Sequence, residues 1–147
     1  MKVHEISAIT LRIKEMERSC HFYSQIPGFR LIYGGSINDN FSTYEIGELN
    51  SSKIYLNLEL IRQTNSQDDD DTTINSSRKD FGRIILHTDD VDKLYDYFKN
   101  NKSISDEIIF ETVPNDAPWG ERYFYIREPD GYQLSFAKPL RKSFQQQ

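Results

Sequence analysis

Residues 117–140 read APWGERYFYIREPDGYQLSFAKPL, and the fold follows from how this stretch is divided. Arg122–Arg127 and Tyr132–Ala137 are rich in aromatic and β-branched residues, the composition of strands. Between them Glu128-Pro129-Asp130-Gly131 is turn chemistry. Pro129 presets φ at the second turn position, and Gly131 tolerates a positive φ. Alternation along the two strands sorts the side chains. Phe124, Ile126, Leu134 and Phe136 face a core, while Tyr123, Tyr125, Gln133 and Ser135 face the other way. That second face is too polar for a core and richer in aromatics than a plain solvent face. It reads as the wall of a pocket.

Working outward, the rest of the chain has the same grammar. Ile6–Ile13 alternates as a strand with Ile9, Leu11 and Ile13 inward. Glu15–Ile26 reads as a helix, with Met16, Ser19/Cys20, Phe22/Tyr23 and Ile26 at helical spacing until Pro27-Gly28 stops it. Strands follow at Phe29–Tyr33, Phe41–Ile46 and Lys53–Ile61. After a polar stretch, Phe81–Thr88 is again a strand. Asp89-Asp90 caps a helix running to about Asn100, and Ile108–Val113 is a strand before the hairpin. Leu11 and Leu86, Glu15 and Asp90, Met16 and Val91, and Tyr23 and Phe98 stand 75 positions apart. The chain is a duplication of strand, helix and three strands. This gives an α+β fold: two βαβββ modules forming a curved, mixed, eight-stranded sheet around a cleft. The first module covers 1–61 and the second, with a short tail, 81–147, as one structural domain overall. Residues 62–80 are a polar, acidic connector with almost nothing to bury. Its run Asp68–Asp71 lacks the alternating oxygens, glycine and distal glutamate of a calcium loop.

Composition narrows the function class. The chain has 147 residues, 28% of them charged, and a net charge of −5. This acidity argues against nucleic acid and mildly favours a neutral or cationic partner. No apolar run approaches the roughly 18 residues of a membrane helix, and the N-terminus lacks the apolar block of a signal peptide. The single Cys20 forms no intrachain disulfide, in keeping with a reducing cytoplasm.

MERSCHFYSQIPGF, TDDVDKLYDYF and WGERYFYIREPDGYQLSF, in this order and spacing, resemble motifs of the vicinal oxygen chelate superfamily. That group holds glyoxalases, extradiol dioxygenases, fosfomycin-inactivating transferases and bleomycin-resistance proteins. The resemblance implies paired βαβββ modules, a cleft and homodimers. In metal-dependent members it implies four ligand positions, which fall here on Ala8, Glu59, Arg83 and Ser135. Ala8 has no donor, Ser135 is a weak one, and Arg83 is a permanent cation; one carboxylate does not fix a catalytic ion. No metal or other cofactor is expected.

The resemblance is closest in kind to metal-free bleomycin-resistance-like members, which sequester a small organic molecule. The expected ligand-binding residues are Tyr55, Asn57, Glu59, Arg83, Trp119, Tyr123, Tyr125 and Ser135. Arg83 beside Glu59 reads either as a charge pair recognising a polar ligand or as a salt bridge filling a former metal position. The tyrosines read either as a stacking surface for a planar ligand or as packing among themselves. Trp119 reads as a cleft contact or as a rim residue anchoring the hairpin. His4, His21 and His87 form no catalytic set, and no nucleophile elbow or phosphate loop is present. No catalytic residue is assigned. The alternative reading is a glyoxalase-like lyase or isomerase, or a dioxygenase-type enzyme, with a non-standard site; a regulatory module with a vestigial cleft is the third.

Overall fold

The structure, a computed structural model, describes residues 1–48, 50–62 and 79–140, with backbone alone at 79 and 80. The chain divides into two compact units, Met1–Asp68 and Asp69–Gln147. The connector expected over 62–80 lies, from 63 to 78, outside the described residues.

In the first unit, β1 (Ala8–Ile13) leads into α1 (Met16–Tyr23), followed by β2 (Phe29–Tyr33), β3 (Phe41–Ile46) and β4 (Ile54–Leu60). The sheet order is β1-β4-β3-β2, with β1 parallel to β4 and the other pairs antiparallel. Alternation places Leu11, Ile13, Leu56 and Leu58 inward, and the helix stripe Met16, Cys20, Phe22, Tyr23 and Ile26 is buried with them. Tyr44 is fully buried because its hydroxyl is satisfied: it lies 2.7 Å from Ser24 Oγ and donates to Cys20 O at 3.1 Å. Cys20 is a small core residue as expected, its sulfur 3.6 Å from Met16 Sδ. The helix ends at Tyr23, short of the expected Ile26, with Ser24 N donating to Cys20 O at 2.9 Å; the turn that follows closes at Gly28, whose φ of +92° leads the chain into β2.

The second unit repeats this plan. β5 (Lys79–His87), α2 (Val91–Asn100), α3 (Lys102–Ser105), β6 (Ile109–Phe110), β7 (Asn115–Ala117), β8 (Glu121–Arg127) and β9 (Tyr132–Pro139) follow in order. The sheet order β5-β9-β8-β6 matches the first, again with first and last strands parallel. Phe98, Phe124 and Phe136 form the core, with Phe98 edge-on to Phe136 at 5.3 Å and Phe124 stacked on Phe136 at 5.3 Å. Asp90 caps α2 by accepting from Lys93 N at 3.0 Å. At the hairpin turn Gly131 N donates to Glu128 O at 2.8 Å, and Gly131 has φ +88°. The buried Glu128 carboxylate adds bonds from Asp130 N (2.6 Å) and Tyr132 N (3.1 Å), which the turn residues alone do not announce.

Two expectations change. The sheets among the described residues hold nine strands, not eight, as two open mixed sheets of four and five strands. The strand expected over 108–113 pairs only at Ile109 and Phe110; β7 then resumes along the same edge of β8 with its register shifted. The break is a bulge at which Glu111 N and Thr112 N both reach Tyr125 O. Pro114, which has no N–H to offer, lies at its far end. The short helix α3, anchored by the fully buried Ile104, is not visible in the periodicity.

Asp90→Ala is expected to cost about 1 kcal/mol through the lost cap. Phe98→Ala is expected to cost about 3–5 kcal/mol through the core cavity. Urea denaturation followed by circular dichroism checks both values and their order.

Candidate functional site

In each unit the helix covers one face of the sheet, so functional side chains belong on the other. On the first unit's open face the rows follow from register. Ala8 lies beside Tyr55, Thr10 beside Asn57 and Arg12 beside Glu59. Asn57 is held across strands: Thr43 Oγ1 donates to its Oδ1 at 2.8 Å, and its Nδ2 donates to Thr10 Oγ1 at 3.2 Å. Glu59 lies 3.9 Å from Arg12, with both side chains more than half exposed. Such a pair contributes about 0–1 kcal/mol. Glu45, next to Tyr55 in register, carries Arg30 at 3.3 Å and Lys53 at 3.4 Å.

The second unit's open face is different. Trp119 sits on a hairpin loop between β7 and β8, closed by Gly120 N donating to Ala117 O at 3.0 Å with Gly120 at φ +89°. Its indole stacks on Tyr123 at 5.8 Å and 23°, and Tyr123 lies 4.7 Å from Tyr125. The Arg83 guanidinium lies over Tyr125 at 4.6 Å. Three rings and a cation therefore form one row. Arg83 Nε donates to Gln133 Oε1 at 2.8 Å, and Gln133 Nε2 donates to Glu111 Oε1 at 2.9 Å. Glu111 also lies 2.8 Å from Arg127 Nε, an ion pair whose N–H is not aligned for a hydrogen bond. Ser135 is buried between Ile85 and Tyr125 in register. His87 is exposed, 3.9 Å from Glu121, and Trp119 Nε1 donates to that same carboxylate at 3.4 Å.

The four positions implied for metal ligands do not form neighbouring pairs within the units. Ala8 faces Tyr55, four residues from Glu59 and so about 13 Å away along the strand. Arg83 faces Gln133, while Ser135 faces Ile85. Within its own unit Glu59 is partnered by Arg12, and Arg83 by Tyr125 and Gln133. Among the described residues no three His, Cys, Asp or Glu side chains gather as a metal would need. A methyl group, a paired carboxylate, a guanidinium and a neutral hydroxyl do not fit the ion of the metal-dependent members. Tyr123 and Tyr125 pack against each other and Trp119, whereas Tyr55 stands in the first unit beside Ala8 and Glu45. Glu111 and Arg127 were not foreseen as part of this face. Pro114, directly after the expected strand, was the available signal, since proline in a sheet is confined to edge strands, strand starts and bulges.

Burial pushes the Tyr125 phenol above its ordinary value of 10.0, with the Arg83 cation pulling the other way. A phenol raised by folding adds stability below that ordinary value, and the contribution is lost as pH rises through the folded pKa. Stability is therefore expected to erode above about pH 10. Removing the cation in Arg83→Gln is expected to move Tyr125 further up, as read by NMR of Cζ-labelled tyrosine.

The comparisons with known proteins agree with this architecture. A sequence profile of the Glyoxalase/Bleomycin resistance protein/Dioxygenase superfamily matches residues 5–136. No curated protein matches the chain in sequence. A glyoxalase-related enzyme from Fulvimarina pelagi superposes with a TM-score of 0.64 at 19% identity, over 92% of this chain and 88% of that one. TioX from Micromonospora sp. ML1 superposes at 0.62 and 15% identity, over 93% and 100% of the two chains. At such identities the likeness is one of fold. With the profile spanning nearly the whole chain and the βαβββ plan present twice, this protein belongs to the glyoxalase/bleomycin resistance protein/dioxygenase superfamily.

Proposed function

We propose that this chain binds a small organic molecule without a metal ion, in the manner of the family's bleomycin-resistance-like members. The observation that carries the reading is the row Trp119–Tyr123–Tyr125–Arg83 on the second unit's open face. Aromatic side chains with a few placed polar groups are what small-molecule sites are built from. Gln133 and Ser135 supply polar groups on this face, and Tyr55, Asn57 and Glu59 supply them on the first unit's.

The enzyme reading has less support. Glu59, the natural base, is an exposed carboxylate 3.9 Å from the Arg12 cation, and Cys20 is sealed in the first unit's core. A homodimer accompanies the binding reading. It is supported by the edge strand β2, where Leu31, Ile32 and Tyr33 are exposed. A cytoplasmic setting suits the unpaired thiol of Cys20.

A thermal-shift screen of planar aromatic metabolites and antibiotics, run with and without EDTA, tests the proposal. A stabilising ligand whose effect survives chelation is expected, with Tyr125→Ala weakening it about tenfold, in line with an aromatic contact. Stoichiometric zinc, nickel, manganese or iron in the purified protein, with an activity restored on its return after chelation, would overturn it.

A further inference from the structure

The ligand class follows from how Arg83 is held, and this step rests on the binding reading above. Five of the six other described arginines have a carboxylate close by: Arg12 has Glu59, Arg18 has Glu15, Arg30 has Glu45, Arg122 has Asp92 and Asp116, and Arg127 has Glu111. Arg83 has none among the described residues. It is nevertheless fixed. Its Nε is spent on Gln133, whose amide is braced by Glu111, and its Cζ lies over the Tyr125 ring at 4.6 Å. The side chain is exposed, and its two Nη groups make no hydrogen bond to any described residue. A guanidinium held by Nε and set over a ring, with both Nη groups unbonded to any described residue, presents the end-on fork that takes a carboxylate through two parallel hydrogen bonds.

We infer that the molecule bound on this face is an aromatic carboxylate, its acid group on the Nη fork of Arg83 and its ring along Tyr125, Tyr123 and Trp119. The row has this polarity and not the reverse, because the cation stands at the Tyr125 end and Trp119 at the other. One negative charge suits the face. Glu111 and Glu121 stand on it already, so a doubly charged phosphate would meet them with Arg83 as the one guanidinium that has no carboxylate partner among the described residues of this face. A cationic ligand would meet Arg83 directly.

The chain has a single tryptophan, so the Trp119 indole gives one ¹H–¹⁵N cross-peak that reports on this face. Titration of the full chain with 4-hydroxybenzoate, 4-hydroxybenzamide and 4-hydroxybenzylamine varies only the charge of the group offered to Arg83. The acid is expected to shift the cross-peak saturably, with the amide and the amine weaker by about tenfold or more, the worth of a charge-assisted bidentate pair. Arg83→Gln is expected to bring the acid down to the amide. Arg83→Lys, which keeps the charge without the fork, is expected to fall between. Equal or tighter binding of the amide or the amine, or an acid indifferent to Arg83→Gln in a variant that melts as the wild type does, overturns the carboxylate inference and leaves the binding proposal standing. No response to any of the three compounds overturns the carboxylate inference as well, while the binding proposal stands or falls on the wider screen with and without EDTA.

Discussion

In each unit the first strand runs parallel to the last, and most of the architecture follows from that pairing. Parallel neighbours cannot be joined by a tight turn, so the chain must leave the sheet and return, and it does so through a helix. The helix covers one face and must be greasy on one side. Met16, Phe22, Tyr23 and Ile26 in the first unit, and Val91, Leu94 and Phe98 in the second, supply that side. The opposite face is relieved of packing duty. Polar and aromatic side chains accumulate there because nothing in the fold requires otherwise.

The two units share this frame and differ in what they place on the open face. The first carries a hydroxyl–amide–hydroxyl row, Thr10–Asn57–Thr43, in which the polar groups satisfy one another. The second carries rings and arginines. Its charges are handled according to burial: Arg127, only 8% exposed, is matched by Glu111, whereas the exposed Arg83 has water as its alternative partner. A buried cation without a carboxylate would be severely destabilising, and an exposed one is not. The protein can therefore leave Arg83 available without losing its fold. A net charge of −5 suggested neutral or cationic partners, yet the local charge of one guanidinium points the other way. Screening over about 8 Å at physiological salt makes the local charge the relevant one.

Duplication is plainest near the start of each unit, where first strand and helix keep a spacing of 75 residues. Beyond the helix the copies diverge. The second gains α3 and breaks one strand into β6 and β7, and that break brings Glu111 to Gln133 and Arg127. A local irregularity in an edge strand thus set the electrostatics of the face.

The strands β2 and β3, the helix from Val91 to Asn100, the hairpin and its turn were all legible in the chain, because each depends on neighbours within a few residues: alternation, helical spacing, an aspartate cap, a proline and a glycine. So were Phe124, Ile126, Leu134 and Phe136 as core. What tertiary structure decided is which residues meet across strands. Counting along motifs grouped Ala8, Glu59, Arg83 and Ser135 as one set of positions, and register within each unit adds that Tyr55 lies beside Ala8 and Gln133 beside Arg83. Register is set by backbone hydrogen bonds between segments about 50 residues apart, and a slip of two residues preserves the same inward and outward pattern. Alternation therefore reveals a side chain's face, and only the paired strands determine its neighbour.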